Sequence, residues 1–191
     1  MRVLTLCLNL AVASALVTTP APAQDAVRDP ATTGEHVAQL LERLAREDLE
    51  HWHRIERDLV NAWSQSGSAT MDLLLERGRA ALAEGETEAA IEHLTALTDH
   101  APGFAEGWHS RATAYFEAGL IGPALADLER ALALNPDHFG ALTGIGTIME
   151  QTGHPDRALR AYEAAQAIHP HHPRIEAALV RVTHALGGWD I

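Results

Sequence analysis

Between Met71 and His172 the apolar and small positions of this 191-residue chain recur in one register, written three times. Pro102, Pro136 and Pro170 stand 34 residues apart, as do Gly85, Gly119 and Gly153; Ala90, Ala124 and Ala158 keep the same phase, and so do Gly78, Ala112 and Gly146. A fixed period of this size marks a stacked array whose unit is a helix-turn-helix pair. Gly85, Gly119 and Gly153 fall where a first helix must stop, because glycine enters the left-handed conformation without a Cβ penalty. Pro102, Pro136 and Pro170 then end a second helix and turn the chain into the next unit. Gly78, Ala112 and Gly146 fall inside the first helix, where glycine costs about 1 kcal/mol relative to alanine. A recurring cost implies a recurring steric need, and close approach to Ala90, Ala124 and Ala158 is the expected one. The pattern predicts an all-α solenoid of antiparallel pairs over 71–104, 105–138 and 139–172.

The flanks carry the helical period without the full signature. Val37, Leu40, Leu41 and Leu44 form one stripe, and Leu49, Trp52, Ile55, Leu59 and Trp63 form another, with a change of phase near Arg46 to Asp48. Two helices are expected, about 33 to 45 and 48 to 65, the first opened by a capping box of Thr32 and Glu35. Residues 33–70 read as a degenerate leading hairpin whose apolar face covers the first repeat. Residues 24–32 show no apolar period and read as a linker. At the far end Pro173 opens a helix in first-helix phase, carrying Glu176, Leu179, Val180, Thr183 and Leu186 and stopped by Gly187-Gly188. Residues 173–191 are therefore a capping helix and tail that shield the last pair.

Residue by residue, the array resembles the tetratricopeptide repeat family. The middle unit carries the resemblance with Trp108, Ala112, Tyr115, Gly119, Ala124, Leu128, Ala131 and Pro136; the third with Leu142, Gly146, Gly153, Ala158, Tyr162, Ala165 and Pro170; the first with Leu74, Gly78, Gly85, Ala90, Leu94 and Pro102. Ala81 and Leu97 depart from the usual residues. The resemblance implies a concave groove lined by first helices that holds a protein or peptide partner. The family's groove positions correspond to Asp72, Leu75, Arg79 and Leu82 in the first unit, Glu106, His109, Thr113 and Phe116 in the second, and Gly140, Thr143, Thr147 and Glu150 in the third. On this reading Leu75, Leu82 and Phe116 give apolar contact, Arg79 and His109 take an acidic group, and Glu106 and Glu150 take a basic one. The leading hairpin could also cover this groove in cis. The family's carboxylate clamp falls on Leu75, Arg79, Ser110, Gly140 and Gly144, of which only Arg79 has suitable chemistry, so capture of chaperone tails by that clamp is not expected.

Residues 1–23 read as a signal peptide: Arg2 precedes a mostly apolar run, and Ala21-Pro22-Ala23 offers a cleavage site. A periplasmic or secreted location is expected, with no membrane span after leader removal. The lone Cys7 leaves with the leader, which excludes disulfides and thiolate metal sites from the rest. Formal net charge is −12 with every one of the 14 basic residues an Arg. The acidic excess is 5 in the first repeat, 3 in the second and 1 in the third. That surface repels nucleic-acid phosphates and would steer a basic partner toward the N-terminal half. His169, His171 and His172 cluster at one turn, and His51 and His53 sit on a helix, but no complete ligand set appears, so turn capping is the expected duty and no cofactor is expected. No nucleophile elbow, phosphate loop or strand is present, and a non-catalytic binding scaffold is the expectation. Self-association through an exposed repeat edge is the competing reading, and metal binding by the histidines a weaker one.

Overall fold

The computed structural model describes residues 30–46 and 50–187. The expected leader, most of the expected linker and the tail 188–191 lie outside the described residues. Among those described there are nine helices and no strand: α1 Pro30–Leu44, α2 Trp52–Trp63, α3 Ala69–Glu84, α4 Thr87–His100, α5 Ala105–Glu117, α6 Ile121–Leu134, α7 Phe139–Gln151, α8 Pro155–Ile168 and α9 Pro173–Gly187. α3 packs on α4, α5 on α6 and α7 on α8, while α3, α5 and α7 neighbour one another along one side. α9 closes the array against α8. No described helix is long and apolar enough to cross a membrane.

The punctuation of the repeat is met in every unit. Gly85, Gly119 and Gly153 have φ of 79°, 74° and 77°. Beside them, the amides of Glu86, Leu120 and His154 donate back to the carbonyls of Ala81, Tyr115 and Met149, each at 2.8 Å, closing the first helix with the same left-handed motif. The second helices end at His100, Leu134 and Ile168, two residues before Pro102, Pro136 and Pro170.

The reason for the small residues differs from the expected one. A Cβ on Gly78 would lie 2.5 Å from Leu94 Cγ, and one on Gly146 would lie 2.5 Å from Tyr162 Cε1. The crowding partners are thus the large residues one turn beyond Ala90 and Ala158, because side chains, rather than backbones, set the closest approach. The unit with Leu128 in this place tolerates Ala112 beside it, in one shared core cluster. Gly146→Ala should cost about 1–3 kcal/mol by overpacking, more than the roughly 1 kcal/mol that alanine adds to helix propensity. Urea denaturation of Gly146→Ala, Tyr162→Ala and the double variant checks this, since relief of crowding makes the double more stable than the sum of the singles allows. Simple additivity would remove the steric explanation.

A buried ion pair joins three helices. Arg111 on α5 donates from Nε and Nη2 to Asp127 on α6 at 2.7 and 2.9 Å, and from Nη1 to Thr98 Oγ1 on α4 at 2.7 Å. Its guanidinium carbon lies 4.8 Å from the Trp108 ring centroid. Hydrogen bonding to Asp127 raises the Arg111 pKa against the opposing effect of burial.

The leading hairpin departs from expectation in position. α1 starts at Pro30, which places Thr32 inside the helix, so the expected capping box is replaced by proline at the first turn. α2 starts only at Trp52. The hairpin covers the turns of the second and third repeats rather than the first repeat. Leu40, Leu44, Ile55 and Leu59 share a core cluster with Phe139, Ala165 and Ile175. Trp63 stacks 4.9 Å from the His138 ring, and Trp52 lies 5.1 Å from His169, edge to face. The connector explains the reversal: Gly67 has φ of 83°, and the amide and hydroxyl of Ser66 both donate to Asp72 Oδ1 at 2.7 and 2.6 Å. The α2 stripe consequently swings back toward Phe139 and the histidine turns, where it finds apolar and aromatic surface.

Candidate functional site

The twelve groove positions divide into two sets. His109, Thr113, Phe116, Gly140, Thr143 and Thr147 line one cavity of about 320 Å³ between α5, α7 and the start of α9. Its floor and remaining wall come from Ala112, Leu128, Gly144, Ile148 and Arg174. None of its lining residues belongs to the hairpin, so cis occlusion does not extend to this part of the groove.

The cavity exists because the first-helix face of α7 lacks side chains where a neighbour needs room. A Cβ on Gly140 would come 3.2 Å from His109 Nε2, and one on Gly144 would come 3.1 Å from both terminal carbons of Leu128. The hydroxyls of Thr113, Thr143 and Thr147 donate to the carbonyls of His109, Phe139 and Thr143, at 3.1, 2.7 and 3.0 Å. Their protons are therefore committed and their oxygens remain acceptors, that of Thr147 having the Tyr162 hydroxyl at 3.3 Å. His109 uses Nδ1 toward Glu106 Oε1 at 3.3 Å, which leaves Nε2 as a further acceptor. Arg174 is the cation among the lining residues. An apolar floor, several acceptors and one cation suit a peptide, whose amides donate while a carbonyl or carboxylate meets the guanidinium.

The other positions are committed inside the fold. Leu75 is 2% exposed and packs with Leu94 and Leu97, so it is core rather than a groove contact. Leu82 lies half-buried against the same cluster. Asp72 holds the Ser66 turn. Glu150 accepts from Arg181 at 3.0 and 3.1 Å and from the Tyr162 hydroxyl at 2.9 Å. Hydrogen bonding to Arg181 lowers its pKa. Glu106 is 3% exposed and so closed to a basic ligand, whereas Glu150 stays partly exposed and already carries Arg181 as its cation. Arg79 likewise reaches inward, donating to Ser64 Oγ at 2.9 Å and pairing with Glu106.

Glu106 is the hub of a buried cluster. Burial would push its carboxyl up, but hydrogen bonds from His109 and His138 oppose this and hold it well below the usual carboxylate range. His138 Nδ1 accepts the Ala141 amide at 3.2 Å as an N-terminal helix cap, so its proton sits on Nε2 and is donated to Glu106 Oε2 at 2.9 Å. Burial pushes the His138 pKa down and keeps the ring neutral. Glu106, His109 and His138 offer ligand atoms within 4.8 Å of one another, the spacing of a candidate metal site. The fit is poor in other respects: Arg79 already neutralises the carboxylate, and a metal on His138 Nε2 would displace the proton that the helix cap places there. At the last turn, His172 Nδ1 accepts the Arg174 amide at 3.2 Å and His171 Nε2 lies 2.6 Å from the Arg46 carbonyl oxygen. These are capping and tethering duties.

Arg174 was not anticipated, although the signal was present. It stands 34 residues after Gly140 and 68 after Glu106, in the same groove position carried one step into the capping helix. The sequence points to Gly144 only through the carboxylate-clamp register, and its role in opening space above Leu128 depends on the packing of α6 beneath α7.

Known proteins give the same architecture. Sequence profiles described as tetratricopeptide repeat match residues 75–122 and 115–182. A tetratricopeptide repeat-containing protein of Rhizobium etli is 34% identical over 137 residues, which cover 71% of this chain and 67% of that protein. Superkiller complex protein 3 of Mus musculus is 30% identical over 109 residues, 56% of this chain but 6% of that one. Among solved structures, the first tetratricopeptide domain of Spaghetti (RPAP3), bound to the HSP90 peptide SRMEEVD, superposes with a TM-score of 0.60 at 25% identity, covering 63% of this chain and 95% of that one. The Sgt2 domain of Aspergillus fumigatus has the same fold, with a TM-score of 0.60 at 24% identity over 63% of this chain and 81% of its own. The 34-residue period, the helix pairs it builds and these matches together place the chain in the tetratricopeptide repeat family.

Proposed function

We propose that the chain is a non-catalytic protein-interaction scaffold that holds a peptide segment of its partner in the cavity between α5, α7 and α9. The cavity itself carries the reading: it is open, floored by Leu128, Phe116 and Ile148, and edged by acceptors and Arg174. The peptide-bound relative supports it, since a partner peptide occupies a domain of this fold. The expected leader supports service outside the cytoplasm, in the periplasm or beyond, and N-terminal sequencing of the mature protein tests cleavage after Ala23.

The segment best matched to this chemistry has an apolar side chain for the floor and an acidic or carbonyl group next to it for Arg174. Peptides selected by display on the wild-type chain should bind Phe116→Glu at least about tenfold more weakly, because a carboxylate then replaces apolar contact area at the floor. Circular dichroism at the same temperature confirms that the variant remains folded. Equal binding by both proteins places the peptide site elsewhere.

A further inference from the structure

The contact between the leading hairpin and the histidine-rich turn after α8 has an arrangement that peptide binding does not use. His169 is fully buried, and neither ring nitrogen has a hydrogen-bond partner. It is walled by Trp52 at 5.1 Å, Phe139 at 5.1 Å and His172 at 5.1 Å between ring centroids, each edge to face. From α2, Glu56 approaches His169 Nε2 at 3.7 Å and His172 Nε2 at 3.6 Å, too long for hydrogen bonds but close enough for charge. The His53 ring lies tilted against Trp52 with centroids 3.5 Å apart, and His171 tethers the turn to the Arg46 carbonyl. The outer wall of the pocket holding His169 is therefore the hairpin, and burial without hydrogen-bond partners favours the neutral ring there.

We propose that the α1–α2 hairpin is an acid-released cover: protonation of His169 and His172 detaches it from the turns of the second and third repeats and bares Phe139, His138 and the adjoining end of the groove. Glu56 favours the charged form of His172 and Arg174 opposes it, while His172, His171 and His53 oppose charge on His169, and a backbone contact at each ring favours it.

The sign follows from linkage. Burial pushes His169 down to about 4, with His172 and His171 adding to the effect, and burial also lowers His172. A histidine lowered in the docked state contributes docking stability above its ordinary value near 6.5, and that stability is lost as pH falls toward its docked value. With full exposure on release, His169 alone shifts the equilibrium up to roughly 25-fold toward the detached form between pH 7.5 and pH 5. His172 adds in the same direction.

Hydrogen exchange of the full chain, expressed as protection factors corrected for the intrinsic pH dependence, reads this helix by helix. Residues 30–63 should lose protection between pH 6.5 and pH 4.5 while α5 to α8 keep theirs. His169→Leu removes the titrating ring from an aromatic pocket and should leave the hairpin protected at pH 5. Glu56→Gln removes the group that eases protonation in the docked state and should move release to higher pH. Unchanged hairpin protection at pH 4.5, loss together with α7 and α8, or an unaltered pH dependence in both variants would overturn the proposal.

Discussion

Replacing Asp127 with alanine should destabilise the array by about 3–5 kcal/mol, the cost of leaving a buried guanidinium without its counter-charge. Arg111 gives Asp127 two parallel hydrogen bonds and is held by Thr98 on the other side, so it cannot turn to solvent without abandoning α4 and α6 together. The pair itself is a poor source of net stability, because removing both charges from water costs about as much as their attraction returns. Arg111→Met with Asp127→Leu should accordingly recover most of what the single change loses. Denaturant unfolding of both variants checks the contrast. A double variant as unstable as Asp127→Ala alone would mean that the lost quantity is packing around Trp108 and Tyr115 rather than unpaired charge.

Leu59→Asp should detach the hairpin at neutral pH while the repeats stay folded. Leu59 is fully buried, in a cluster that joins α1 and α2 to Phe139 and Ile175. An unpaired carboxylate there costs several kcal/mol, whereas the repeats bury their own clusters around Leu94 and Tyr162 without the hairpin. Limited proteolysis should then cut readily near the Ser64 to Ser68 connector and leave a resistant core from α3 to α9. Simultaneous loss of the core would show that the hairpin is integral to the array.

The solenoid was legible because its punctuation depends on local chemistry. Gly85, Gly119 and Gly153 each had to be left-handed, and Pro102, Pro136 and Pro170 each had to follow a helix end, whatever the packing around them. The hairpin was legible as two helices but not in its docking. Its stripe of Ile55, Leu59 and Trp63 states that a face is buried without stating against what, and the choice rests on the Ser66–Asp72 turn and on Phe139, far away in sequence. The groove was half legible for the same reason. His109, Thr113, Phe116, Thr143 and Thr147 follow from register alone. Register gives direction but not partners, so it could not show that Glu106 is spent on Arg79 and His138, or that Glu150 is spent on Arg181 and Tyr162. Leu75 fails differently: its position points toward the groove, yet Leu94 and Leu97 close over it.

A binding titration of one display-selected peptide against three proteins tests the cavity most directly: wild type, Thr147→Trp, which fills the space over Leu128, and Leu82→Gln, which changes an expected groove position outside it. The account predicts that Thr147→Trp abolishes measurable binding while Leu82→Gln binds within about twofold of wild type. Binding retained by Thr147→Trp and lost in Leu82→Gln would contradict it, and would put the partner on the first repeat.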